Sequence, residues 1–255
     1  MSIYDIFSIK GRKALVTGAG RGIGKVLALT LAEAGCDVAL MGLSEENLVA
    51  TASEVKAFGV KALVTPGDVA RKEDVDAAFS EAEKTFGGLD ICVNNAGISM
   101  QVPAENMAEA DWQRIIDVNM KGVFLCSQAA ARLMIPRKSG SIINTGSISG
   151  SAVNVPQKQG IYNTSKAGVV MLTKSLAVEW APYGIRVNSL SPGYIKTEMV
   201  LSTMSNLFPA WEALTPLERL GTPEELRGAL LFMASDASSY MTGHDLIVDG
   251  GYTAR

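Results

Sequence analysis

Tyr162 and Lys166 stand four residues apart in a segment with helical periodicity, a spacing that sets both side chains on one face about one turn apart. An ammonium beside a phenol favours the phenolate, so the pair predicts a tyrosine able to exchange a proton near neutral pH. Ser147 follows an apolar run, in Thr145-Gly146-Ser147, and adds a small hydroxyl at the end of a predicted strand. A fixed hydroxyl next to a poised acid is what a carbonyl oxygen needs while negative charge grows on it. Alone, a Tyr–Lys pair at this spacing is an ordinary surface contact; Ser147 changes that weighing.

A second group of residues suits a phosphate. Thr17-Gly18-Ala19-Gly20-Arg21-Gly22-Ile23-Gly24 directly follows the first apolar run and enters an amphipathic segment. Glycines there let backbone N–H groups and a helix N-terminus approach a diphosphate that side chains would block. The spacing is T-G-x-x-x-G-x-G, and its place between strand one and helix one lifts it above a turn that uses glycine for steric reasons alone.

These residues need an alternating scaffold, and the chain supplies one. Strands are predicted at 13–17, 37–41, 61–65, 89–93, 141–145, 185–189 and 246–248, with helices near 23–34, 45–58, 72–86, 109–135, 162–181 and 223–235. Continuous apolar strands between helices predict an α/β fold: one Rossmann-like, doubly wound parallel sheet of about seven strands, buried on both faces, with helices on each side. Thr222, Pro223 and Glu225 form a helix-start signal with a reciprocal capping box. The segment 193–221 has no clear period and is expected to be a substrate lid on a single domain spanning 1–255.

Composition narrows the function classes. With 47% hydrophobic residues and a net charge of −3, the chain has a sizeable core and no electrostatic reason to bind nucleic acid or a membrane. No apolar run reaches spanning length and the first residues lack a signal-peptide pattern, so a cytoplasmic protein acting on a small molecule is expected. Cys36, Cys92 and Cys126 are read as reduced core thiols, and a single histidine, His244, leaves little for a metal site; none is expected.

The glycine spacing resembles that of the short-chain dehydrogenase/reductase family, and the resemblance runs over nearly the whole chain. Asp68-Val69, Asn94-Asn95-Ala96-Gly97, Asn119, Ser147, Tyr162-x-x-x-Lys166, Pro192-Gly193 and Asp249-Gly250-Gly251 follow in order. It implies a nicotinamide-dependent oxidoreductase in which Ser147 bonds the substrate oxygen and Tyr162 gives or takes the proton. Lys166 would tune Tyr162 and hold the nicotinamide ribose, and Asn119 would anchor a water linking Lys166 to solvent. For the cofactor it implies contacts from Gly18, Gly22, Ile23, Gly24, Asp68, Val69, Asn95, Ala96, Gly97, Tyr162, Lys166, Pro192, Gly193, Ile195 and Thr197. It also implies a homotetramer built as a dimer of dimers, with 109–135 and 162–181 suited to the contacts.

The end of the second strand, Leu40-Met41-Gly42-Leu43-Ser44, carries neither the acidic residue that favours NAD(H) nor an arginine. Arg21 and Ser44 are placed to meet a 2′-phosphate, which favours NADP(H) and leaves NAD(H) possible; the alternatives are a solvated arginine and a helix cap. The loop from Ile148 to Ile161 is similar to that of polyol dehydrogenases and ketose reductases. Within it Asn154, Gln157 and Gln159 offer amides suited to several hydroxyls, or else cap the loop. Ser147, Asn154, Gln157 and Tyr162 are therefore the candidate substrate contacts, and ketose/polyol interconversion the expected reaction. The alternatives are a 3-oxoacyl-thioester reductase, suggested by apolar Met199, Met204, Leu207, Phe208 and Trp211 in the lid stretch, and a non-catalytic nucleotide sensor.

Overall fold

The computed structural model describes residues 2–254. In chain order its elements are β1 (Lys13–Thr17), α1 (Gly22–Glu33), β2 (Asp37–Gly42), α2 (Glu45–Lys56), β3 (Ala62–Pro66), α3 (Lys72–Phe86) and β4 (Ile91–Asn94). There follow α4 (Glu109–Ile116), α5 (Gly122–Met134), β5 (Gly140–Thr145), α6 (Gly160–Trp180) and β6 (Ile185–Pro192). The chain closes with α7 (Glu198–Thr203), α8 (Phe208–Leu214), α9 (Arg227–Ala234) and β7 (Asp245–Val248).

All seven strands pair in parallel in the order β3-β2-β1-β4-β5-β6-β7. The order reverses between β1 and β4, so the connections leaving these two strands diverge and open a crevice beyond their carboxyl ends. One apolar cluster, with Val16, Leu27, Leu31, Leu48, Ile143 and Leu230, joins the sheet to α1, α2 and α9. The other, with Leu15, Phe79, Cys92, Met134, Ile142 and Leu176, joins it to α3, α5 and α6. The central strands are buried on both sides, as near-continuous apolar runs require, but the edge strands β3 and β7 are only partly buried, short of the expectation for all seven. The three cysteines are free and buried. No helix among the described residues is long and apolar enough to cross a membrane.

A polar chain fixes the inner strands below the crevice. Asn94 Nδ2 donates to Ser127 Oγ and to Asn144 Oδ1, each at 2.8 Å, and Asn144 Nδ2 donates to Thr173 Oγ1 at 2.8 Å. Each such bond contributes roughly 0.5–1.5 kcal/mol, and removing one partner would strand a buried amide. The set therefore holds β4, β5, α5 and α6 in one register.

Three boundaries differ from expectation. The segment 109–135 is not one regular helix: a π-helical turn over Asp117–Lys121 separates α4 from α5 and turns Asn119 inward, where it is fully buried. Helix α6 starts at Gly160, so Tyr162 lies in its first turn. The segment after Thr222 opens as a 3₁₀ turn over Pro223–Leu226 before α9, with Glu225 Oε2 accepting the Thr222 N–H at 2.9 Å.

Candidate active site

The glycine turn closes over the end of β1. Thr17 Oγ1 accepts the N–H groups of Asn95 and Ala96, both at 3.0 Å, while Asn95 Nδ2 donates to the carbonyls of Thr17 at 3.1 Å and Gly18 at 3.4 Å. The Asn95 side chain thus braces the turn from below. Its Nδ2 is engaged by the turn itself, through the close approach of the β1 and β4 ends, in a segment expected to back the cofactor ribose. Thr17, given no role from sequence, is its counterpart. A β-carbon at Gly24 would stand 2.1 Å from the Gly18 carbonyl oxygen, so only glycine allows α1 to start so close to the turn. Gly22 has φ +56°, and a β-carbon there would point across the crevice to within 3.7 Å of the Thr197 side chain.

These features fit a dinucleotide. The N-cap residue of α1, Arg21, makes no side-chain cap, which leaves the first-turn N–H groups and the positive end of the helix dipole facing the crevice. Gly22 keeps a gap there that a side chain would fill. Ile23 follows within the first turn of α1. Arg21 is exposed and has no ion pair among the described residues. Ser44 caps α2 by accepting the Asn47 N–H at 3.3 Å, and its hydroxyl proton remains available. Asp68 accepts the Ala70 N–H at 2.9 Å, and Val69 packs on Gly122 at the start of α5. On the far wall Pro192 ends β6, and Gly193 donates its N–H to Val248 at 2.9 Å. Ile195 bridges to Gly221, and Thr197 caps α7 by accepting the Val200 N–H at 3.3 Å.

Ser147, Tyr162, Lys166 and Asn119 meet where β5, α6 and the π turn come together. Ser147 is 8% exposed and its hydroxyl lies close enough to the Tyr162 phenol to act on its pKa. Lys166 Nζ donates to the Thr145 carbonyl at 2.7 Å and lies 5.8 Å from the centre of the Tyr162 ring. Burial holds this ammonium down at a pKa of about 8. A β-carbon on Gly97 would lie 3.4 Å from Asn119 Oδ1 and 3.7 Å from Lys166 Nζ, so both side chains close on Gly97.

Two expectations change here. Burial raises the Tyr162 pKa above its ordinary value, and the neighbouring Ser147 hydroxyl only partly opposes it. With Lys166 held on the Thr145 carbonyl, the phenol stays protonated in the free protein rather than shifting toward phenolate. The Asn119 side chain is bonded on both ends: Oδ1 accepts the Ile98 N–H at 2.9 Å, and Nδ2 donates to the Ile98 carbonyl at 2.9 Å and to Ser165 Oγ at 3.0 Å. Ser165 Oγ in turn donates to the Tyr162 carbonyl at 2.7 Å. Asn119 therefore ties the loop after β4 to the first turn of α6, and its carboxamide keeps only a lone pair for a water.

The loop after Ser147 holds an aromatic cluster. Asn154 Nδ2 at 3.2 Å and Gln157 Nε2 at 2.9 Å both donate to the Tyr194 hydroxyl, and Trp211 Nε1 donates to Gln157 Oε1 at 3.1 Å. Tyr194 stacks on Trp211 with ring centres 4.1 Å apart. Gln159 Nε2 and Ser149 Oγ share Asn154 Oδ1, at 2.9 and 2.5 Å. The amides are thus occupied within the loop, and the segment expected to be irregular contains α7 and α8, with Trp211 of α8 docked on the body of the domain. Tyr194 and Trp211 escaped the sequence reading as partners of these amides because isolated aromatics in an aperiodic stretch give no spacing signal.

Residues 18–253 match a protein-family model described as enoyl-(acyl carrier protein) reductase. A galactitol 2-dehydrogenase of Rhizobium johnstonii is 46% identical over 99% of this chain and 99% of its own. A short-chain type dehydrogenase/reductase from Mycobacterium marinum superposes with a TM-score of 0.97 at 47% identity, with each chain covered completely. The chain belongs to the short-chain dehydrogenase/reductase family. It is an oxidoreductase of this family's seven-stranded Rossmann-like fold. A gluconate 5-dehydrogenase of the family from Burkholderia cenocepacia, in complex with NADP and tartrate, superposes with a TM-score of 0.93 at 40% identity and covers both chains completely.

Proposed function

We propose that this dehydrogenase/reductase interconverts a ketose, or a similar polyhydroxy ketone, with its polyol, using NADP(H) in preference to NAD(H). The observation that carries the reading is the convergence of the Ser147 hydroxyl, the Tyr162 phenol and the buried Lys166 ammonium, which lies 5.8 Å from the centre of the Tyr162 ring. The family's galactitol 2-dehydrogenase supports the substrate class and the NADP-bound gluconate 5-dehydrogenase supports the cofactor.

When bound, the dihydronicotinamide supplies the hydride. The chain's own groups hold and protonate the carbonyl. Ser147 donates to the carbonyl oxygen and fixes it, and Tyr162, protonated in the free enzyme, delivers its proton to that oxygen as charge grows there. Lys166 holds the nicotinamide ribose and stabilises the phenolate that remains. Asn119 positions Tyr162 through Ser165. Burying these groups under 193–221, which acts as the lid of a single domain, excludes water and strengthens each of these interactions. A 3-oxoacyl chain fits less well, since Trp211 is buried against Gln157 and Tyr194 rather than lining an open apolar channel. A panel of ketoses, polyols and 3-oxoacyl esters, each with both cofactors, tests the class: turnover of sugars is expected, and turnover of acyl esters alone contradicts it.

Asn154 and Gln157 shape the substrate pocket by holding Tyr194 and the lid. Gln157→Ala removes bonds to both Tyr194 and Trp211, and about tenfold higher KM for a ketose is expected with a smaller change in kcat. Unchanged kinetics on every ketose would remove Gln157 from the pocket. Arg21, exposed at the N-terminus of α1, and Ser44 meet the 2′-phosphate. Arg21→Ala is expected to weaken NADPH about tenfold and NADH hardly at all, the modest factor reflecting solvent screening. Equal weakening of both would contradict that role. We place it in the cytoplasm as a homotetramer; exposed Phe124 on α5 and exposed Met171 and Val178 on α6 support assembly through these helices.

A further inference from the structure

Among the buried side-chain polar atoms of the described residues, the Thr145 hydroxyl is the one with no hydrogen-bond partner. Buried hydroxyls are almost always paired, because leaving one unpaired forfeits its interaction with water and returns nothing. Thr145 is the last residue of β5 and is 8% exposed. Its neighbour Asn144 bonds Thr173 on α6, so strand alternation turns Thr145 to the opposite face, the one carrying α1 and the glycine turn. At the carboxyl end of β5 that face is the crevice floor, where Asn95 reaches the glycine turn from the adjoining strand end and Gly22 faces Thr197 above. The Thr145 carbonyl holds Lys166, and Ser147 is two residues on, which sets the hydroxyl at the chemical half of the crevice, away from Ser44 and Asp68.

We propose that the Thr145 hydroxyl is a binding group for the nicotinamide–ribose half of the dinucleotide and finds its missing hydrogen bond there. The proposal rests on the cofactor reading above. A hydroxyl unpaired in the free protein contributes nothing to folding, so its isosteric removal separates a ligand contact from a structural one.

The test uses the full chain as wild type, Thr145→Val and Thr145→Ser. Each is titrated with NADPH and with adenosine 2′,5′-bisphosphate, which carries the adenosine half alone, and Tm is measured without ligand. For Thr145→Val an NADPH Kd about 3- to 10-fold higher is expected, with unchanged affinity for the bisphosphate and a Tm equal to or above wild type. Thr145→Ser is expected to keep wild-type NADPH affinity. Unchanged NADPH binding by Thr145→Val, equal weakening of both ligands, or a lower Tm or failure to fold would overturn the proposal. Failure of the wild-type chain to bind either ligand would instead overturn the cofactor reading.

Discussion

Tyr162→Phe is expected to lower kcat about a thousandfold while NADPH affinity stays within about twofold of wild type. Phenylalanine keeps the ring beside Lys166 and removes only the hydroxyl next to Ser147. Ser147 still holds the carbonyl oxygen, but no acid remains to protonate it. Steady-state turnover and a fluorescence titration of NADPH measure the two effects separately. Retention of more than about a tenth of the wild-type kcat would remove Tyr162 as the proton donor. The pH dependence has a definite sign. Burial raises the phenol pKa, so the protonated form needed for ketose reduction is already present across neutral pH and that direction should stay flat there. Polyol oxidation needs the phenolate and should rise as pH increases.

Gly24→Ala is expected to weaken NADPH roughly a hundredfold. A methyl group there would meet the Gly18 carbonyl oxygen at 2.1 Å, a contact with backbone that no side-chain rotation relieves. Either the turn or the start of α1 must shift, at a cost of about 3 kcal/mol for overpacking, and both elements belong to the proposed diphosphate site. The same strain should lower Tm by roughly 6–12 °C. Wild-type affinity in this variant would show that the turn is not where the diphosphate is held.

Much of this arrangement is legible in the residues themselves. Parallel strands buried on both faces are apolar runs, and β1, β2 and β5 stand out for that reason. The Tyr162/Lys166 spacing and the glycine turn carry their chemistry in local sequence. What escapes is set by tertiary contact. A π turn has no period, so the break at Asp117–Lys121 and the inward turn of Asn119 leave no trace in hydropathy. The direction of the Tyr162 shift depends on burial and on where Lys166 donates, not on the four-residue spacing. The bonds of the Asn95 amide to the carbonyls of Thr17 and Gly18 come from the proximity of two strand ends, which no local spacing shows. Asn154 and Gln157 show their chemical type in sequence, while their partners Tyr194 and Trp211 lie 40 and 54 residues further on, respectively.

The central claim is hydride transfer to a ketose carbonyl held by Ser147 and protonated by Tyr162. NADPH carrying deuterium at the transferable C4 position, incubated with wild-type chain and a ketose, tests it through mass analysis of the product. One deuterium on the carbon that was the carbonyl, in a polyol formed in step with cofactor oxidation and absent with Tyr162→Phe, is the predicted result. Cofactor oxidation without deuterium in a polyol, or an undiminished yield from Tyr162→Phe, would contradict the account.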